Sequence, residues 1–136
     1  MRNFDYQTPT RLIFGKGVVA EKLQGVMAKF GDKVLITYGG GSIKRSGLYD
    51  QVMNLLAGKQ IYELPGIEPN PKFNPSVTEG VRICKEKGID VILSVGGGSV
   101  LDCTKAIAGA ACSDADPWDI VTGKAPTLKE IGRAHV

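Results

Sequence analysis

At 136 residues and 14.5 kDa the chain has the size of one domain, and 43% hydrophobic with 23% charged residues is an ordinary globular composition. A formal net charge of +3, with the basic residues spread along the chain, argues against nucleic acids and membrane surfaces as partners. No apolar run approaches the roughly 18 residues of a membrane span, and a start carrying Arg2, Asp5 and Arg11 lacks the pattern of a signal peptide. Cys84, Cys103 and Cys112 are odd in number and show no C-x-x-C spacing, which fits reduced thiols in a cytoplasm, and their apolar helical surroundings point to packing for all three.

In chain order, residues 1–17 are rich in β-favouring side chains (Phe4, Tyr6, Leu12, Ile13, Phe14) interrupted at Pro9, which predicts an edge strand or hairpin. Val19, Leu23, Val26, Met27 and Phe30 recur at helical spacing over 18–30, with Gly31 as the stop. Residues 33–38 form a short apolar run without alternation, as expected of a strand covered on both faces. It runs into Gly39-Gly40-Gly41-Ser42, then into a helix whose apolar face is Leu48, Val52, Leu55 and Leu56 and whose stop is Gly58. Residues 60–64 read as a third strand, leading into the proline-stiffened loop Pro65-Gly66-Ile67-Glu68-Pro69-Asn70-Pro71. Asn74-Pro75 supplies a cap and a first-turn proline for a helix over 77–87 that Gly88 ends.

The next strand, residues 91–95, meets a second glycine triplet, Gly96-Gly97-Gly98-Ser99. The following helix carries Val100, Thr104, Ile107 and Ala111 down one stripe. Glycines let a backbone approach a ligand closely, and free N–H groups at a helix start, aided by its dipole, attract anions. Strand, glycine turn and helix therefore read as a phosphate-binding corner. Ser99 and Asp102 also fit a plain capping box, and Leu101 stands where the dinucleotide fingerprint needs its third glycine.

Alternating strands and helices predict an α/β domain with a parallel, Rossmann-like sheet. Ligands in such sheets bind beyond the carboxyl ends of the strands, where both GGGS loops and the 65–71 loop would gather. Two phosphate-suited loops and one rigid loop on a single edge match a dinucleotide better than a lone phosphate. No acid lies between Tyr38 and Leu48 to repel a 2′-phosphate, and Lys44 and Arg45 are there to meet one, so NADP is favoured over NAD.

Three runs, Ile36-Thr37-Tyr38-Gly39-Gly40-Gly41-Ser42-Ile43-Lys44, Gly66-Ile67-Glu68-Pro69-Asn70-Pro71 and Ser94-Val95-Gly96-Gly97-Gly98-Ser99-Val100-Leu101-Asp102, together with Asp116-Pro117-Trp118, resemble the iron-containing alcohol dehydrogenases, in their NADPH-dependent butanol dehydrogenase and aldehyde reductase branch. The likeness covers Phe4 to about Glu130. It implies a nucleotide-binding domain of the dehydroquinate-synthase-like type, with hydride transfer between NADP(H) and an aldehyde or primary alcohol. A divalent metal, iron or zinc, and a homo-oligomer are implied for the full-length protein. By that likeness Gly97, Gly98 and Ser99 hold the pyrophosphate, and Gly39, Gly40, Gly41 and Ser42, with Lys44, take the adenosine ribose end. Asn70 meets the adenosine side, and Asp102 lies towards the nicotinamide ribose and the cleft as the one candidate for a catalytic role.

The likeness also shows departures. The family takes its metal ligands, one Asp and three His, from a helical domain that this sequence lacks, and the one histidine here is His135. No metal ligand is therefore expected, and the chain is read as a front portion that binds cofactor without turnover. Residues 1–131 are expected to form the domain, and 132–136 a tail foreign to the family pattern. A non-catalytic nucleotide-binding fragment and a glycerol-dehydrogenase-like relative are the alternatives.

Overall fold

The computed structural model describes residues 9–68, 73–124 and 129–136. A four-stranded parallel sheet in the order β2-β1-β3-β4 carries helices on both faces. Its strands are β1 (Lys33–Tyr38), β2 (Gln60–Leu64), β3 (Val91–Val95) and β4 (Gly132–His135). The first three have the bounds expected from their apolar runs. β1 and β3 are central, and their residues from Val34 to Tyr38 and from Val91 to Val95 are all buried. Continuous hydrophobicity is what a strand needs when helices cover both of its sides.

Alternate residues of those strands feed two cores. Val34, Ile36, Tyr38, Val91, Leu93 and Val95 face α1 (Val18–Met27), α2 (Ser42–Arg45) and α3 (Leu48–Leu55), which contribute Leu23, Met27, Ile43 and Val52. Leu35 and Ile92 face α4 (Thr78–Lys87), α5 (Gly98–Ala110) and α6 (Pro117–Val121), which supply Val81, Cys84, Val100, Ile107, Ala108 and Ile120. Gly88, at φ +64°, ends α4 in the left-handed cap foreseen for it. Asp116 caps α6 by accepting from the Trp118 N–H at 2.8 Å, with Pro117 as the first helical residue.

Several expectations are corrected. Residues 9–14 form no strand, and Leu12 and Phe14 are almost fully exposed: among the described residues they pair with neither edge strand of the sheet, β2 or β4. Residues 1–8 lie outside the described part. Gly31 does not close α1, which ends at Met27; a side chain at Gly31 would collide with the Asp90 carboxylate, whose Oδ2 accepts from the Lys33 N–H at 3.0 Å. Helical structure before α4 begins earlier than expected, as a wide π-type turn over Phe73–Val77 that contains Pro75. The last residues, expected as a tail beyond the domain, pair with β3 from Val91↔Gly132 to Ser94↔His135, satisfying an otherwise open sheet edge. Cys84 and Cys103 are buried, but Cys112 lies exposed just past α5, so the packing role expected for all three holds only for the first two.

Candidate functional site

The strand order reverses at β1: the chain crosses from β1 to β2 on one side, then to β3 on the other. In open parallel sheets a ligand crevice opens at such a point, beyond the carboxyl ends. Register makes the two glycine loops level there, because Tyr38 pairs with Val95 and each loop starts with the next residue. The loop after β2 joins them through the Gly66 N–H on the Gly39 carbonyl (2.9 Å) and the Ile67 N–H on the Tyr38 carbonyl (3.1 Å).

Each glycine loop is shaped by what it must clear. Gly96 takes φ +145°, a conformation that side chains rarely adopt, and a Cβ there would stand 3.1 Å from Cγ2 of Val100. Gly97 is the extended cap of α5 and Gly98 its first residue. Around both, no atom lies within 4 Å of an added Cβ, so the missing side chains leave an open cradle over the helix start. α5 is 13 residues long and well formed, so its first N–H groups present a developed dipole to that cradle. The helix starts ahead of Ser99, with Gly97 as its cap, so Ser99 stands in the first turn rather than at the cap position of a capping box. Asp102 follows, exposed, in the next turn.

On the β1 side, Gly39 is half-buried against the Ile67 carbonyl, while Gly40, Gly41 and Ser42 are exposed and Gly40 is open above. The two cations beyond them part ways. The Arg45 guanidinium lies over Gly41, 2.9 Å from where a Cβ would stand. The Lys44 ammonium instead sits over the Tyr49 ring at 4.8 Å and the Tyr38 ring at 5.7 Å, a cation–π arrangement. Asn70 lies outside the described residues. Gly66, Glu68, Pro75 and Ser76 line a small recess.

Two features escaped the sequence reading. Glu63 of β2 accepts a hydrogen bond from the Tyr38 hydroxyl at 3.0 Å. Burial and that carboxylate push the Tyr38 hydroxyl up to about 12, and the same carboxylate raises Tyr49. An acid thus comes near the β1 end from another strand, paired with tyrosines, where a search between Tyr38 and Leu48 cannot find it. The second is a buried hydroxyl pair, Thr37 with Thr104, whose Oγ1 atoms are 2.7 Å apart. Thr104 reads from sequence as one more member of an apolar stripe.

Among the described residues no group of three or more His, Cys, Asp or Glu side chains is placed to hold an ion. His135 Nδ1 is 2.7 Å from the Ser94 hydroxyl, and burial, then Lys105, lower its pKa. Among the described residues, no helix is long and apolar enough to cross a membrane.

Known proteins share this arrangement. The family model described as iron-containing alcohol dehydrogenase matches residues 9–134. A probable NADH-dependent butanol dehydrogenase 1 of Bacillus subtilis is 59% identical over 126 residues, covering 91% of this chain and 32% of that protein. The NADPH-dependent aldehyde reductase YqhD of Escherichia coli is 46% identical over 123 residues, covering 89% and 31%. The crystal structure of an NADH-dependent butanol dehydrogenase A from Thermotoga maritima superposes with a TM-score of 0.89 at 38% identity, over 99% of this chain and 34% of that one. The chain therefore spans about a third of the length of the curated relatives it matches. With the paired glycine loops in register and the family match running through both parallel strands that carry them, the chain belongs to the iron-containing alcohol dehydrogenase family.

Proposed function

We propose that this chain supplies the cofactor-binding edge of an NADP(H)- and metal-dependent alcohol dehydrogenase or aldehyde reductase. The observation that carries the reading is the open cradle at Gly97 and Gly98 on the start of a long helix, level with a second glycine loop across the switch point. The α5 N–H groups at Gly98 and Ser99 hold the pyrophosphate, as anions suit a helix start. Gly39, Gly40, Gly41 and Ser42, with Asn70, take the adenosine end, and Asp102 faces the nicotinamide ribose. Bound there, the nicotinamide ring supplies a hydride to an aldehyde carbonyl carbon or accepts one from a primary alcohol.

The names of the relatives divide between cofactors: butanol dehydrogenases are called NADH-dependent and the aldehyde reductase NADPH-dependent. The preference for NADP(H) rests on the Arg45 guanidinium over Gly41, with the Lys44 ammonium on the Tyr49 and Tyr38 rings adding positive charge to the same loop. A guanidinium fork suits a 2′-phosphate, whereas selection of NAD commonly uses an acid at the ribose. Among the described residues no donor set fits a metal, and metal binding is assigned to the part of the relatives that this chain does not span. The chain alone is a cytoplasmic cofactor binder without turnover, and the full-length protein is a homo-oligomer.

A fluorescence titration of the purified chain with NADPH and NADH tests the reading. NADPH is expected to bind more tightly than NADH. The Gly98→Val variant, whose Cβ would meet no atom of another element within 4 Å, is expected to keep the fold and lose at least about tenfold in affinity. A folded chain that binds neither cofactor, or alcohol oxidation by this chain, overturns the proposal.

A further inference from the structure

The Thr37–Thr104 pair joins the two elements that carry the glycine loops. Thr37 lies on β1 two residues before Gly39, and Thr104 lies in α5 six residues after Gly98. Both are wholly inaccessible to solvent, and the neighbouring core is apolar: Leu35, Ile92, Val100, Ile107 and Ala108. A buried hydroxyl without a partner is costly, so each of these depends on the other. The fold itself has little need of the pair, since exchanging both partners for apolar groups of the same shape is close to neutral. Two valines would fill the same space.

What a hydrogen bond adds to apolar packing is direction. α5 is joined covalently to β3 through Gly96 and Gly97, but β1 and α5 meet only through packing and side chains. Apolar contact is non-directional and tolerates sliding of a helix along a sheet. Thr37 is a fixed point, paired on one side with Leu64 and on the other with Ser94. A bond from that point to Thr104 sets both the axial position and the rotation of α5. It thereby sets the distance between the N–H groups at Gly98 and the loop at Gly39.

We propose that Thr37 and Thr104 are positioning residues that hold the two glycine loops at the spacing one dinucleotide needs. The proposal rests on the cofactor reading above. Preorganised spacing is where affinity is gained, because a bound ligand otherwise pays to order the two loops itself.

The test uses the purified chain, NADPH as the probe, and thermal melts beside the titrations. Thr104→Val strands the Thr37 hydroxyl and is expected to lower the melting temperature and weaken NADPH binding about tenfold. Thr104→Ser keeps the bond and is expected to match the wild type in affinity, with the melting temperature lowered only by the loss of one buried methyl group. The double variant Thr37→Val with Thr104→Val leaves no stranded hydroxyl; its melting temperature is expected to return to the wild-type value while affinity stays down about tenfold. Only a positioning role separates the two readouts in that way. Affinity recovering together with melting temperature in the double variant, or wild-type affinity in every variant, overturns this inference and leaves the cofactor reading intact. A folded wild-type chain that binds no NADPH overturns both.

Discussion

The same four residues, Gly-Gly-Gly-Ser, follow β1 and β3, and the chain puts them to different uses. After β3 the third glycine is already the first residue of a 13-residue helix, so a ligand there meets backbone N–H groups and a full helix dipole. After β1 the third glycine caps a helix of only four residues, Ser42–Arg45, which Gly47 interrupts at φ +81°. That stub has little dipole to offer, and the local charge comes from the Lys44 and Arg45 side chains. Identical tetrapeptides thus build one corner that recognises by main chain and another that recognises by side chain. The difference lies in the two helices: Val100, Thr104 and Ile107 bury α5 against the sheet over its whole length, whereas α2 buries Ile43 alone.

Backbone strain offers the largest way to break the comparison. Gly96→Ala must hold φ near +145° with its Cβ 3.1 Å from Val100, and is expected to cost about 2 kcal/mol in urea denaturation and to abolish NADPH binding. Gly39→Ala meets the Ile67 carbonyl at the same 3.1 Å but needs no positive φ, and is expected to cost about 1 kcal/mol. Equal losses at the two positions would mean that the loops are held in the same way.

Charge sharpens it next. Arg45→Ala is expected to weaken NADPH about tenfold and leave NADH unchanged, with the difference shrinking as salt is added. Lys44→Ala removes an ammonium already seated on Tyr49 and Tyr38, and is expected to cost about 0.5 kcal/mol of stability and little affinity. Matching titrations of the two variants would place the 2′-phosphate elsewhere.

The smallest effect is on stability at high pH. Burial pushes the Cys103 thiol of α5 up to about 11 from an ordinary 9.0. A thiol raised by folding contributes its full share below the unfolded value, and that share is lost as pH climbs from 9 towards 11. Urea midpoints measured across that range are expected to fall less steeply in Cys103→Ala than in the wild type.

The parts legible in the amino acids were those set by near neighbours. Strand runs at 33–38, 60–64 and 91–95, the Gly88 stop and the Asp116-Pro117 cap all follow from periodicity and turn chemistry within a few residues. The loops of the site were legible for the same reason, since each directly follows a strand. Contacts that depend on distant elements were not. Glu63 reaches Tyr38 only because β2 pairs with β1, and Thr104 looks apolar until α5 lies on Thr37. Leu12 and Phe14 have β-favouring side chains, yet that preference makes a strand only where the segment pairs with a neighbour and buries a face, and among the described residues both stay exposed and unpaired with the sheet.

By itself, then, the amino-acid order determined which segments turn, extend and coil, and that two glycine loops follow parallel strands. Only the tertiary structure decided that those loops leave the sheet at one level, that Arg45 rather than Lys44 lies over the first, and that a buried hydroxyl pair ties β1 to α5. The physical reason is range: backbone propensity is settled among neighbours in sequence, while register, charge placement and buried hydrogen bonds are settled between residues that meet only when the sheet is assembled.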